Sequence, residues 1–425
     1  MACNRRAFIT AGTAAALMTA CDKRTPSGPD VRRPSAPRGL AAAFSGNAIT
    51  LTWALHDNTD TLGTRSESAV RIIVLRNGTR ITELTAGTTS YVDTAITLDA
   101  RYEYALLAVD SAGNESDPSA SVERWARLGN VRICKVTDIT ASSGSALNAA
   151  TVTAMLHRAV RALTGITDTG LAWERFFPGL TMASTIGIKI NTLAGAKLST
   201  HPAVVEAIVD GLTRMLSGTF PAYNIIVFDD RTSDKFTAAG FTLRDTPGLY
   251  RCVTSRDDWS AQFAVINGVT ERFSAVAESV DFIVNVPVLK DHNEAGVTFA
   301  LKNFYGLIEN PGLLHANFCD PFVAQVYNRY RDKVKLVVGD CIFGAHRNGP
   351  DASPTFVPNA LLVGTDPVAL DVTALSMINA ERARRGMAMV SAAADGHARH
   401  ISTAAAAPYT LGEADASNIN VEAIA

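Results

Sequence analysis

Lysine, histidine, asparagine and aspartate gather at a few points in the second half of the chain. Lys189 and Asn191 sit two apart, and Asp229, Asp230 and Arg231 are consecutive. Lys290-Asp291-His292 is followed by Thr298, Lys302 and Asn303, and then by His315, Asp340 and Thr365-Asp366. Lysines act as point charges that suit a carboxylate or phosphate. Histidines titrate near neutrality and serve as general bases or metal ligands. The expected site therefore takes a small anion through Lys189, Asn191, Lys290, Thr298, Lys302 and Asn303. His292 and His315 would transfer protons or hold a divalent metal, with Asp340 orienting them. On a helix begun near Asn293, Thr298 and Lys302 would share a face, with Lys290 and His292 at its mouth.

These residues need a scaffold that brings distant segments together. From about Asn130, apolar strands alternate with amphipathic helices, the pattern of an α/β sheet. Strands are expected at 186–191, 224–228, 281–286, 334–338 and 361–364. A helix opens at Pro202 and buries Val204, Val205, Ile208, Leu212, Met215 and Leu216. Another runs from Pro367 to about Arg384, after a short one at 233–239. Each cluster lies just past a strand. If the strands run parallel, one crevice at their carboxyl ends collects them all.

Plainer roles compete at several positions. Asp366 before Pro367 reads as a helix cap. Asp229 and Asp230 could finish a strand, Gly306 could end a helix, and His201 at a helix start could be structural. His346 and Arg347 lie in the Gly344–Gly349 loop, where an anion clamp is a weak reading. His397 and His400 are expected on an exposed helix face. Cys134, Cys252, Cys319 and Cys341 form no C-x-x-C pair, so no iron–sulfur cluster of the chain's own is expected. One disulfide or four buried thiols remain open. Nor does the Gly187-Ile-Lys-Ile-Asn191 strand carry a phosphate-loop pattern.

Composition narrows the function classes. The 425 residues are 47% hydrophobic and 19% charged, enough for two or three packed domains. Thirty-nine basic against forty-one acidic residues give a formal net charge of −2, which offers nothing to a phosphate backbone, so no nucleic-acid partner is expected. No apolar run is long enough to span a bilayer.

The first residues read as an address. Arg5-Arg6 with Phe8-Ile9 resembles a twin-arginine export signal, and Leu17-Met-Thr-Ala-Cys21 resembles a bacterial lipobox. The resemblance implies cleavage and lipidation at Cys21, residues 1–21 being the signal and 22–36 a flexible linker. The protein is then expected in the periplasm or cell envelope, tethered to a membrane by lipid.

Residues 37–127 show strand-like runs at 49–53, 70–75, 90–93 and 102–109, with a hairpin signal at Arg76-Asn77-Gly78. With Trp53, Tyr104 and the ending Ala108-Val-Asp-Ser-Ala-Gly-Asn-Glu-Ser116, they resemble a fibronectin type III domain. That implies an all-β sandwich with Trp53 and Tyr104 in core and corner positions. Such a module spaces, or docks a protein or polysaccharide.

Residues 130–425 resemble the family known as domain of unknown function 362. The matching pieces are Lys189-Ile-Asn191, Thr200-His-Pro202, Val286-Pro-Val-Leu-Lys290 with His292, Thr298, Leu301-Lys-Asn303, Gly306 and His315. Val338-Gly-Asp340, Gly349-Pro350 and Thr365-Asp-Pro-Val-Ala-Leu-Asp371 complete them. Many relatives carry a ferredoxin-like cluster segment that this chain lacks. The family is distantly similar to the N-terminal part of nickel-dependent lactate racemase, where histidines do acid/base work on a hydroxy acid, but the racemase's full ligand set has no counterpart here. The expectation is a multidomain protein: a fibronectin-like sandwich, then an α/β domain with a mostly parallel sheet. It is expected to bind a small anion and to act as an acid/base enzyme, with or without a divalent metal. The alternatives are a non-catalytic ligand-binding or scaffold lipoprotein and an accessory of a redox complex.

Overall fold

The computed structural model describes residues 32–45, 48–54, 68–97, 100–125 and 131–424. The export signal and Cys21 lie outside these residues. The chain divides into two compact units, 1–128 and 129–425.

In the first unit, β1 (Arg38–Ser45), β2 (Ala48–Ala54) and β5 (Ser90–Asp93) form a three-stranded antiparallel sheet in the order β1-β2-β5. The strands β3 (Arg71–Arg76), β4 (Thr79–Thr85), β6 (Arg101–Val109) and β7 (Val122–Trp125) form a second, ordered β4-β3-β6-β7. This is a fibronectin type III-like sandwich, and its core follows a period of two. Ile49, Leu51 and Trp53 meet Ile72, Val74, Tyr104, Leu106 and Ala108. Asn77 and Gly78 both take positive φ, as a two-residue hairpin turn requires. Tyr104 is buried and donates its hydroxyl to Asp93 Oδ2 at 2.8 Å, while Arg76 bonds the same oxygen at 2.9 Å.

The second unit is built on a ten-stranded mixed sheet. Its strands are β8 (Val131–Thr137), β11 (Ile186–Lys189), β12 (Ile225–Asp229), β13 (Arg251–Thr254), β16 (Phe282–Asn285), β17 (Val288–His292), β18 (Gly296–Thr298), β19 (Val334–Ala345), β20 (Ala360–Gly364) and β21 (Ile419–Ile424). The order is β13-β12-β11-β16-β19-β20-β8-β21, with β17 on the far half of β19 and β18 on β17. Two small hairpins stand apart, β9 (Ser142–Ser143) with β10 (Ala146–Leu147) and β14 (Trp259–Ile266) with β15 (Val269–Ser274).

Pairing is parallel from β13 through β12, β11 and β16 to β19, and again between β8 and β21. Along this order the exception is β20, antiparallel to both neighbours, and off it β18 is antiparallel to β17. The carboxyl ends of β11, β12, β16 and β19 therefore share one edge. Thr365 and Asp366, which follow β20, lie at the opposite edge and leave the expected crevice. Asp366 caps the next helix by accepting from Ala369 N at 2.9 Å.

Helices α1 (Ala149–Thr164), α2 (Thr169–Glu174) and α3 (Pro202–Thr213) cover one face with the short turn α4 (Met215–Gly218). Val152, Leu156, Val204, Val205 and Ile208 pack there on Ile186, Ile188, Val227, Val284 and Val338. The remaining helices are α5 (Ser233–Ala238), α6 (Ala275–Ser279), α7 (Phe322–Tyr330), α8 (Pro367–Arg384) and α9 (His400–Ala405). From α7 and α8, Val323, Tyr327, Leu370 and Ile378 cover the other face over Ile226, Phe228, Ile283 and Val337. Strands buried on both sides favour apolar residues throughout, which is why β12 reads as the apolar run Ile225–Phe228 before Asp229.

One expected element is absent. No helix begins near Asn293. β17 and β18 instead form an antiparallel hairpin that pairs Lys290 with Thr298 and His292 with Gly296. Pairing with β19 holds β17 extended, and Gly296 takes the positive φ that the return of the hairpin requires. Lys302 starts a 3-10 helix, Lys302–Leu307.

Candidate functional site

The floor of the crevice is a buried ion pair. In register, Lys189 at the end of β11 stands beside Phe228 of β12 and Asn285 of β16. Its ammonium donates to Asp229 Oδ1 at 2.8 Å and to Ile190 O at 2.6 Å. Asp229 Oδ2 accepts from Thr192 N and Oγ1 at 2.7 and 2.9 Å. Burial alone would raise the Asp229 carboxyl, but the charges of Lys189 and Arg231 win and hold it below the usual range. Gly306 closes over this pair, since a Cβ there would stand 2.6 Å from Asp229 Oδ1 and 2.9 Å from Lys189 Nζ. Its identity is thus set by close approach to the pair as well as by its place in the 3-10 helix.

Above the floor runs a chain of amides, all pointing one way. Lys290 Nζ donates to Asn191 Oδ1 at 2.9 Å, Asn191 Nδ2 to Asn303 Oδ1 at 3.0 Å and Asn303 Nδ2 to Asn285 Oδ1 at 2.8 Å. Asn285 Nδ2 ends it on Ala300 O at 2.8 Å. Lys290 also reaches Leu198 O at 3.3 Å, but no carboxylate pairs with it among the described residues. Burial pushes its ammonium down to about 7. Beside it on the same face, Thr298 Oγ1 is buried with no hydrogen-bond partner. The Nε of Arg231 is in the same condition, while its Nη1 donates to Asp230 O at 2.6 Å.

The histidines complete the cluster. His292 and His315 stack with ring centroids 5.4 Å apart and planes 22° from parallel. His292 Nδ1 accepts the backbone N–H groups of Glu294 and Ala295, both at 3.1 Å, which places the ring proton on Nε2. Burial, then the charges of Lys302 and His315, push it down to about 2, so the ring is neutral. His315 lies 2.9 Å from Pro311 O through Nδ1, which therefore donates, leaving Nε2 facing Lys302 Nζ at 3.3 Å. Burial lowers Lys302 to about 8, and its ammonium sits 4.1 Å from the Tyr305 ring centre. Burial and Lys302 together lower His315.

This arrangement does not fit a divalent metal. His292 offers its lone pair to two backbone donors, and that of His315 is turned to an ammonium. Among the described residues, no group of three or more His, Cys, Asp or Glu side chains is gathered to hold an ion.

Asp340 does not orient His292 or His315. Its Oδ2 lies 2.7 Å from Nδ1 of His201, and it accepts the His201 backbone N–H at 2.9 Å. The two residues are 139 apart in sequence, so no local spacing could announce the pair. The other histidines lie apart from the lysines. His346 Nδ1 bonds Thr355 Oγ1 at 2.7 Å, and its Nε2 is buried without a partner. His397 is exposed, but His400 is fully buried, 3.8 Å from Asp371, because α9 packs inward. Asp371 accepts from Ala300 N at 2.6 Å, which ties α8 to the segment leading to Lys302. Arg231 joins the cluster although its one signal in the sequence is its place directly after Asp229-Asp230. The four cysteines of this unit are free and buried.

Comparison with known proteins follows the same division. Residues 186–376 match the family model described as Domain of unknown function (DUF362), and the C-terminal unit resembles that family. Exoglucanase B of Cellulomonas fimi is 36% identical over 120 residues, 28% of this chain and 10% of that protein. A poly(3-hydroxybutyrate) depolymerase of Ralstonia pickettii is 35% identical over 89 residues, 21% of this chain and 16% of its own. The chain thus spans only a small part of these curated relatives. Among solved structures, a Fn3-like protein from Clostridium thermocellum is 28% identical, covering 21% of this chain and 90% of that one at a TM-score of 0.18. The FN1–FN3 domains of chicken CNTN1 are 16% identical, covering 23% of this chain and 32% of that one at a TM-score of 0.19.

Proposed function

We propose that the α/β unit binds a small anion, a carboxylate or phosphate, in the crevice at the ends of β11, β12 and β16. The observation that carries this reading is the burial of Lys290 and Lys302 without a carboxylate partner among the described residues. An unpaired buried ammonium is costly and either sheds its proton or takes an anion. The orphaned Thr298 hydroxyl and Arg231 Nε supply neutral and charged donors to the same ligand. Lys189 stays with Asp229 and shapes the floor. Asn191 and Asn303 align Lys290.

Acid/base chemistry is the second part of the proposal. The Lys302–His315 contact lets one proton pass between an amine and an imidazole that both titrate below their ordinary values. Metal assistance is not carried forward, because the ring nitrogens are otherwise engaged. A purely ligand-binding role rests on the same lysines without proton transfer. The export and lipid-anchor reading of Arg5-Arg6 and Cys21 belongs to this proposal and is supported by sequence alone; with it, the protein acts in the periplasm or cell envelope.

Calorimetric titration with inorganic phosphate and with malonate tests the site. Binding is expected in the native chain and lost in Lys290→Met and in Lys302→Met. Absence of binding by either probe, or equal binding by both variants, overturns the reading.

A further inference from the structure

Asp340, expected to orient His292 and His315, is instead paired with His201. Asp340 is completely buried, and His201 is its one ionic partner among the described residues. Among the described residues, its Oδ1 accepts only the Ile342 backbone N–H, at 3.3 Å. Oδ2 receives both the backbone N–H and the Nδ1–H of His201, which fixes the ring. The Phe343 ring, 5.4 Å away, supports it from one side. With the proton on Nδ1, the lone pair is on Nε2, and no described residue takes it up. The His201 side chain is 20% exposed while that of Asp340 is 0% exposed, so the pair has one reachable end.

The loop that ends at His201 joins this end to the anion site, since Leu198, three residues before His201, accepts from Lys290 Nζ. Asp340 pairs with Val288 in the parallel β17–β19 ladder, and side chains alternate along β17. Val288 therefore shares the face that carries Asp340, and after a shift of register Lys290, two residues on, pairs with Ala345. The loop from β11 to α3 binds Lys290 through Asn191 and Leu198, and ends at His201. Thr200, the residue before His201, fastens that loop by accepting from Asn191 N at 2.8 Å and donating to Val286 O at 2.9 Å.

We propose that His201 is the proton acceptor for an O–H group, of the ligand or of a water molecule beside it, when Lys290 holds the ligand's anionic end. The O–H bond breaks, the proton forms a bond to Nε2, and the electron pair stays on oxygen. Nδ1–H keeps its bond to Asp340, whose carboxylate balances the imidazolium. No other reagent is consumed, and the proton leaves by the same nitrogen. This inference rests on the anion-site reading for its ligand. Its base stands on the His201–Asp340 geometry. Burial acts to lower the imidazole, but Asp340 outweighs it and raises it above the ordinary value.

Carbethoxylation of the full chain, followed by peptide mapping, reads the accessible neutral imidazole directly. His201 is expected to react with a pH midpoint above the ordinary histidine value. In Asp340→Asn the midpoint falls, and the reaction at pH 6 quickens by about tenfold for each pKa unit lost. Inorganic phosphate slows His201 severalfold in the native chain and leaves it unchanged in Lys290→Met. The native-chain protection does not depend on how well Asp340→Asn folds. An unreactive His201, or a midpoint unmoved in a folded Asp340→Asn chain, overturns the inference. If calorimetry shows phosphate bound while His201 stays unprotected, the inference falls and the anion site stands. If phosphate does not bind, both fall together.

Discussion

Lys302 Nζ and His315 Nε2 face each other at 3.3 Å, with no carboxylate paired to either among the described residues. Two groups that each gain a positive charge oppose one another's protonation. Near neutrality the contact is therefore held by one proton, and a second is stabilised only by a negative ligand.

The sign of the pH dependence follows. Lys290 at about 7 and Lys302 at about 8 lie below an unfolded lysine, so between those values and about 10.4 the unfolded chain binds more protons. Their contribution makes the ligand-free protein more stable as pH rises through that window. Bound phosphate favours both ammonium forms, and its affinity is expected to fall above pH 7, by up to about tenfold per pH unit for each lysine that must be recharged. Calorimetry from pH 6 to 9 checks the affinity. Melting curves with and without phosphate check the opposite slope.

Gly306→Ala should be disruptive out of proportion to one methyl group. The added carbon meets both members of the Lys189–Asp229 pair. The expected cost is about 1–3 kcal/mol, the range for forcing volume into a packed interior. Denaturant unfolding of the variant measures it. A cost no larger than that of Gly312→Ala, where a Cβ meets nothing within 4 Å, would count against the close approach.

In the sandwich, Tyr104→Phe removes the hydroxyl that bonds buried Asp93 and leaves Arg76 as its charged partner. A hydrogen bond to a charged group contributes about 1.5–3 kcal/mol, and a loss of that order is expected. Denaturant unfolding of the full chain, native against Tyr104→Phe, measures it.

Cys21→Ser tests the lipid anchor. The native protein is expected in the membrane fraction and the variant in the soluble fraction after cell rupture. Equal partition of both removes lipidation at Cys21.

The strands of the α/β unit were legible because burial on both faces leaves continuous apolar runs, as in Ile225–Phe228. Helix α3 was legible from Pro202 and its apolar face. Hidden from the sequence was whatever depends on pairing between distant segments. The direction of β20 is set by its neighbours β19 and β8, and that direction removes Asp366 from the crevice. The segment 293–302 has spacing that a helix tolerates, but ladder bonds to β17 hold 296–298 extended. Likewise, the partner of Asp340 is His201 at the start of α3, 139 residues away, and no local spacing selects it over His292 or His315. The lysines were easier, since each follows a strand end or lies within the family motif.

The row from Lys290 through Asn191, Asn303 and Asn285 to Ala300 O has a single polarity. Reversing any one amide would set oxygen against oxygen on one side and N–H against N–H on the other. The asparagines are therefore not independent letters of the sequence. Replacing one disables its neighbours, so losses from single exchanges should overlap, and a tolerated change should require the trio to be rewritten together.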